Sequence, residues 1–313
     1  IANHAGQDKL TWNERINWFN QQLNLDASTF DEPILGSKAI QAYLDSKKGI
    51  PTGYTMSIDA TASGLQIMSA LSGCKVTARA CNMTNTGSRQ DIYEHIASKM
   101  NAILKPVEHV TRKLVKKPVM TTFYNSEANP KATFSPLQLI AFHESLDDTL
   151  PGALDVMEAI NEFWDYESDT HMWTLPDGHV AKVPVTEMTN IRIEVDELNH
   201  RTFTYRYNKQ QPSENFRSLV ANIVHSVDGY VAREMVRRCH SMNIELVHIH
   251  DCFVFSPDYL QDVSQTYREI LAQIADSDLL SDILSEISGN YVPVAKLSSD
   301  LSKDILNSEY MLS

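Results

Sequence analysis

Apolar residues recur at helical spacing over most of this 313-residue chain, with short alternating stretches between. Trp12, Ile16, Phe19 and Leu23 predict a first amphipathic helix. A turn over 49–54 leads into a strand ending near Asp59, and 63–71 reads as a helix. Ile92, Ile96, Met100 and Ile103 fall on one stripe of a helix over 91–104, which Pro106 interrupts. A helix from about 107 to 124 follows, and Pro118 predicts a kink or a local break in it. Residues 137–163 are mostly helical, broken near Pro151-Gly152. Leu175-Pro176-Asp177-Gly178 is a turn between strands. Residues 191–195 and 203–207 alternate like a hairpin around a polar tip. A long helix over 216–241 carries Leu219, Val220, Ile223, Val227, Val231 and Met235. Two short apolar strands, 244–249 and 253–255, bracket His250-Asp251. The tail from Tyr259 is helical and acidic apart from a break at 289–294, and shows no chemical motif.

Composition narrows the picture. A hydrophobic content of 42% is ordinary for a globular protein, and no stretch approaches the roughly 20 apolar residues of a membrane span. No signal peptide is visible. Cys74, Cys81, Cys239 and Cys252 have no C-x-x-C spacing, which argues against structural zinc and for a reducing, cytosolic setting. The net charge of −13 disfavours a nucleic-acid partner at first sight. The cations are clustered, however. Lys99, Lys105, Arg112, Lys113, Lys116 and Lys117 face only Glu108 among nearby acids, and Arg201, Arg206 and Lys209 form a second group. A basic cleft on an acidic body would let only the cleft meet phosphate. A solvated helix face is the competing reading.

Three segments could carry chemistry. Asp59 follows a strand and precedes a small-residue turn, so its carboxylate and the Ala60 carbonyl can reach a metal ion; a turn or N-cap role is the alternative. Asp251 sits at a hairpin turn with rigid apolar flanks, and with His250 it could equally be a turn former beside a core histidine. Arg112, Lys116, Met120 and Tyr124 recur at intervals of four, one row on a helix. Arg and Lys one turn apart can grip a triphosphate, and Lys can donate a proton to a departing pyrophosphate. The row also fits a basic exposed face with a core Met and Tyr. His225, in the apolar helix, either satisfies itself internally or touches a ligand. Two carboxylates from distant parts of a chain can converge on two ions about 3.5–4 Å apart.

The ordered set resembles the bacteriophage and mitochondrial single-subunit DNA-dependent RNA polymerases. Asp59 with Ser63-Gly64-Leu65-Gln66 and Arg79-Ala80-Cys81-Asn82 is similar to motif A. Arg112 through Met120-Thr121 to Tyr124 resembles motif B, and His250-Asp251 resembles motif C. His225-Ser226-x-Asp228-Gly229 matches a further family element, as do Gln90-Asp91-Ile92-Tyr93 and Ala2-Asn3 to Asp8-Lys9. Pro176-Asp177-Gly178 resembles the turn before the promoter-specificity hairpin. The resemblance covers roughly residues 2–256.

It implies an α/β right-hand fold: palm over 1–87, fingers over 88–225 with a specificity-like hairpin, and palm again over 226–313 with an acidic helical tail. It implies two Mg²⁺ held by Asp59, Ala60 and Asp251, with Asp59, Asp251, Lys116, Tyr124 and His225 as catalytic residues. Lys9, Arg112, Tyr93, Gly64 and His250 would bind substrate. The partners implied are DNA template, RNA product and ribonucleoside triphosphates, and a second chain supplying thumb and N-terminal domain, as in a split phage polymerase. A single-stranded-DNA-binding or promoter-melting factor is a further candidate, no membrane is expected, and the setting is the cytoplasm of an infected bacterium. Three positions depart from the family: Asn125 where Gly is usual, Cys252 where Ser is common, and Pro118 inside the motif B helix. A DNA polymerase or primase-like enzyme of the same fold is the alternative, then a non-catalytic scaffold subunit.

Overall fold

A three-stranded antiparallel sheet, in the order β1 (Met56–Asp59), β7 (Cys252–Phe255), β6 (Val247–Ile249), joins segments almost 200 residues apart. Its register sets Ile58 against Phe253 and Asp59 against Cys252. Strand alternation then gives two unlike faces. Ile58, Phe253 and Phe255 are buried on one, whereas Ser57, Asp59, Val247 and Ile249 are exposed on the other. The computed structural model describes residues 1–22, 24–165, 167–185, 187–209 and 217–313. Leu23 and Phe216, the predicted end of the first helix and start of the long one, lie outside the described residues.

Helix α3 (Ser63–Ser72) lies at the centre. Every residue from Leu65 to Ser72 is buried, as expected for a helix apolar on most sides. It packs against α9 (Pro151–Asn161), α10 (Arg217–Ser241) and α11 (Leu260–Asp276). Gly73 ends it in the left-handed conformation, φ 70°, and a Cβ there would come within 3.0 Å of the Ser298 carbonyl oxygen. The Lys296 ammonium donates to the carbonyls of Ala70 (2.9 Å), Leu71 (3.0 Å) and Ile274 (3.3 Å), closing the ends of α3 and α11 together.

The helices flanking this centre begin where side chains cap them. Thr11 and Glu14 form a capping box at α1 (Trp12–Gln21), and Asp91 accepts from Tyr93 and Glu94 backbone N–H groups at α5 (Ile92–Ile103). Helix α6 (Arg112–Thr122) starts at Arg112, not near 107: Pro106–Glu108 forms a 3₁₀ turn, and the Thr111 hydroxyl caps the helix. It runs through buried Pro118 without a break. The Thr122 hydroxyl donates to the Pro118 carbonyl (2.9 Å), and that of Thr121 to the Lys117 carbonyl (3.0 Å). Tyr124 lies in the turn beyond the helix, not on it. Then come α7 (Ala128–Thr133) and α8 (Pro136–Thr149), with a break before α9 at Pro151 as predicted. Helices α2 (Pro33–Lys47) and α4 (Lys75–Ala80) carry no clear apolar stripe and were not expected from the pattern.

Two hairpins complete the chain. Strands β2 (Thr170–Thr174) and β3 (Val180–Pro184) flank the predicted turn. Buried Trp173 donates from Nε1 to the Ser226 hydroxyl (3.0 Å), and Arg233 pairs with Asp177, so this hairpin is docked on α10. Strands β4 (Glu187–Val195) and β5 (Arg201–Lys209) pair with each other alone among the described strands. The tail folds as α11, α12 (Leu279–Ser288) and α13 (Leu301–Leu306), with the expected break after Gly289.

Candidate active site

A cleft of about 410 Å³ opens above the exposed face of the sheet. It is lined by Lys9, Asp59, Ala60, Gly64, Tyr93, Arg112, Lys116, Tyr124 and Asp251. His225 and His250, also expected at the site, do not line it.

One carboxylate, Asp59, ends β1, and the other, Asp251, directly precedes the neighbouring β7. The Ala60 N–H donates to the Asp251 carbonyl (3.1 Å), continuing the β1–β7 ladder past Asp59. His250 and Asp251 form a two-residue turn, with His250 in the left-handed conformation at φ 55°. Beside them, burial and a hydrogen bond to the Asp59 carboxylate push the Cys252 thiol up to about 12, so it remains a protonated donor. From α10, Asp228 hydrogen-bonds Ser63 in the first turn of α3. Burial, with the charge of Asp251 adding to it, pushes the Asp228 carboxyl up to about 6.

Hard oxygen donors of this kind suit a magnesium-like cation, and cations on the far wall suit its anionic ligand. The chain's residues therefore fit the metal the resemblance implies. Among the described residues, the one group of three carboxylate or imidazole donors within mutual reach is Glu194, Asp196 and His200. It is exposed at the tip of the β4–β5 hairpin, and none of the three lines the cleft.

The far wall is cationic. Arg112 donates from Nε to Asp91 (2.7 Å), and Lys116 stands one helical turn further on. The guanidinium carbon of Arg112 and the Lys116 ammonium lie 5.5 and 5.8 Å from the centre of the Tyr93 ring. Burial drives the Tyr93 phenol up to about 12, leaving it a neutral platform. Burial also pushes the Asp91 carboxyl up, but the Arg112 hydrogen bond and the Glu94 N–H outweigh it and hold it below the usual range. Lys9 pairs with Asp8 at 2.6 Å.

Tyr124 faces a gap left by glycine. A Cβ on Gly64 would meet the Tyr124 hydroxyl at 3.4 Å and the Val224 Cγ1 at 3.6 Å. The Tyr124 ring packs on His225, centroids 4.7 Å apart, so His225 backs the tyrosine without lining the cleft. Burial, then nearby His250, hold His225 below its ordinary value and favour the neutral ring.

Sequence reasoning missed what holds the loop from Asp59 to Gly64. Gln66, 0% exposed, accepts from the Tyr267 hydroxyl (2.8 Å) and donates to Thr61 Oγ1 (3.1 Å), the Cys81 carbonyl (3.0 Å) and the Met311 carbonyl (3.1 Å). Asn82 bridges Thr61 and the Gln90 backbone. The tail, which showed no motif, returns here. Ser313 N–H donates to the Asp59 carbonyl (2.9 Å), and Arg89 Nε donates to the Ser313 hydroxyl (2.8 Å). The uncharged glutamine in an apolar helix was the one available signal. Nothing local marked Ser313, because its role depends on chain return.

The cleft thus sets Asp59, at the end of β1, and Asp251, in the turn before β7, opposite a cationic helix. The family model for DNA-dependent RNA polymerase matches residues 1–132 and 152–310, and the chain belongs to that family. It is similar to the DNA-directed RNA polymerase of Pseudomonas phage phiKMV, at 22% identity over 87% of this chain and 41% of that one. It is similar also to the mitochondrial DNA-directed RNA polymerase 1 of Arabidopsis thaliana, at 20% identity over 93% of this chain and 36% of that one. The chain thus spans about two-fifths of the length of these relatives. It covers 90% of DNA-directed RNA polymerase 2A of Nicotiana tabacum, at 22% identity over 80% of its own length. Among solved structures, the POL domain of Pol1 from M. smegmatis, in complex with DNA primer-template and dNTP, aligns over 73% of this chain and 38% of that one. The TM-score is 0.44 and the identity 16%.

Proposed function

We propose that this chain is the catalytic part of a phage-type RNA polymerase, adding ribonucleotides to an RNA 3′ end on a DNA template with release of pyrophosphate. The observation that carries this is the cleft itself, where Asp59 and Asp251 meet Lys9, Arg112 and Lys116. Asp59, Asp251 and the Ala60 carbonyl would hold two Mg²⁺, which when bound activate the 3′-hydroxyl and stabilise charge on the departing pyrophosphate. Arg112 and Lys116 orient the triphosphate, with Lys9 on its flank, and Lys116 can protonate the leaving group. Tyr124, backed by His225 and given room by Gly64, tests the ribose. His250 positions Asp251 from the turn.

In this reading residues 1–87 and 226–313 form the palm and 88–225 the fingers, with the β4–β5 hairpin as the specificity element. A net charge of −13 leaves this chain short of cations for gripping a duplex, and a partner surface in the assembly supplies them. The setting is the infected bacterial host, and among the described residues no helix is long and apolar enough to cross a membrane. The test is extension of a primed DNA template by the purified assembly with labelled rNTPs or dNTPs. Incorporation of rNTPs supports the proposal. Exclusive use of dNTPs points to a DNA polymerase, and no extension in any reconstituted assembly points to a scaffold.

A further inference from the structure

Asn125 stands where the family usually has glycine, directly after the ribose-facing Tyr124. The structure shows how this residue serves there. Its backbone is left-handed, φ 62°, a conformation that asparagine tolerates better than most side chains. Its side chain does something glycine cannot: Nδ2 donates to Asn161 Oδ1 at 2.7 Å.

Both ends of this bond matter. Helix α6 ends at Thr122, so no helical ladder holds Tyr124 beyond it. The following turn is closed by Tyr124 N–H to Thr121 carbonyl (3.1 Å) and Asn125 N–H to Thr122 carbonyl (2.8 Å). Phe123, buried, anchors the turn on one side, and Asn125 anchors it on the other. Asn161 is the last residue of α9, whose Val156 and Ile160 are buried in the core. That helix packs on α3, which carries Gly64, and on α10, which carries His225. The amide bond therefore ties Tyr124 to the framework that holds both of its neighbours.

We propose that the Asn125–Asn161 hydrogen bond is a latch that fixes Tyr124 between Gly64 and His225 and so sets the stringency of ribose selection. Both asparagines are positioning residues, and the inference rests on the reading of Tyr124 as the ribose-testing group. A site built to hydrogen-bond a hydroxyl rejects the analogue lacking it only while its polar group is held in place. A looser Tyr124 can turn away and leave nothing unpaired.

The test compares kcat/KM for an rNTP and the matching dNTP in the whole active assembly. Asn125→Gly keeps the left-handed backbone at no steric cost and removes the amide. Asn161→Leu removes the acceptor at similar volume, and Asn161→Asp restores an acceptor oxygen. Asn125→Gly and Asn161→Leu should each lower rNTP-over-dNTP discrimination by about twofold to tenfold, the range one part-buried hydrogen bond spans. The double variant should match the single ones, Asn161→Asp should keep wild-type discrimination, and kcat for rNTP should stay within about twofold throughout. Tyr124→Phe is measured alongside. If it lowers discrimination while Asn125→Gly and Asn161→Leu do not, the latch is wrong and the reading of Tyr124 stands. If Tyr124→Phe changes nothing, that reading fails and the latch falls with it.

Discussion

The loop that carries Asp59 and the β4–β5 hairpin are opposite solutions to holding residues in place. The loop from Asp59 to Gly64 is braced by Gln66, Thr61, Asn82 and the returning segment at Met311 and Ser313, contacts that span up to about 250 residues of sequence. Among the described strands, those of the hairpin pair only with each other. Their register sets Ile191 against Tyr205 and Ile193 against Phe203, which gives one apolar face, and Phe203 and Tyr205 are 49% and 59% exposed. Arg192 and Arg206 lie on the other face. The difference teaches where precision resides. Chemistry that depends on sub-ångström placement is built on buried, fully paired groups. A two-stranded element with an uncovered apolar face is suited to meeting a partner surface instead.

The largest expected effect tests the braced region. Asp59→Asn and Asp251→Asn should each cut nucleotide addition by about 1,000-fold or more, with near wild-type melting temperature, because each removes charge stabilisation aimed at the transition state. Steady-state extension at saturating Mg²⁺ measures this. Activity within tenfold of wild type in either variant would undo the site assignment.

Next comes the brace itself. Gln66→Ala leaves the Tyr267 hydroxyl without its buried acceptor and takes one donor from each of the Cys81 and Met311 carbonyls, and should cost about 2–3 kcal/mol. For a chain of 313 residues that is a fall of roughly 3–5 °C in melting temperature. Arg192→Ala on the hairpin should stay within about 0.5 kcal/mol. Equal losses at the two positions would erase the contrast.

The hairpin's own effect should appear only where a partner surface is met. Replacing Ile191, Phe203 and Tyr205 by Ser should leave extension of a primed template within about twofold, since the cleft is untouched. Initiation on a promoter duplex should fall by about tenfold, equivalent to about 1.4 kcal/mol of lost binding. A matching fall in primed extension would mean that the hairpin supports the cleft directly.

The smallest effect concerns the docked β2–β3 hairpin. His171 is buried, and its Nε2 accepts from the Asp165 N–H at 3.3 Å. Burial holds its pKa below the ordinary histidine value. A folded-state value lower than the unfolded one gives stability that is complete above about pH 6.5 and is lost as the pH falls below it. Thermal melts of wild type should therefore decline below about pH 6.5, and those of His171→Gln should decline less steeply. Identical slopes would count against the buried neutral ring.

Much of this was legible in the chain. Period-2 and period-3.6 patterns gave the strands at Asp59 and Asp251 and the stripes of α5 and α10. Lys9, Asp59, Arg112 and Asp251, which the structure brings to one cleft, stand in local signatures next to a turn or a helix start. Local capping chemistry, at Thr111 above all, overrode the apolar pattern and moved the start of α6. Helix α2 went unread because its apolar residues follow no single stripe; Ile34, Leu35 and Leu44 are exposed.

By itself the sequence determined which residues carry charge and polarity, and at which spacing they sit on each element. Only the tertiary structure decided that Ser313 closes on Asp59, that Asp228 faces Ser63, and that Asn125 reaches Asn161. Each of these is a pairing between segments whose local patterns are independent of one another. Such pairings are selected when buried polar groups must find partners as the core closes, and no window along the chain contains both halves.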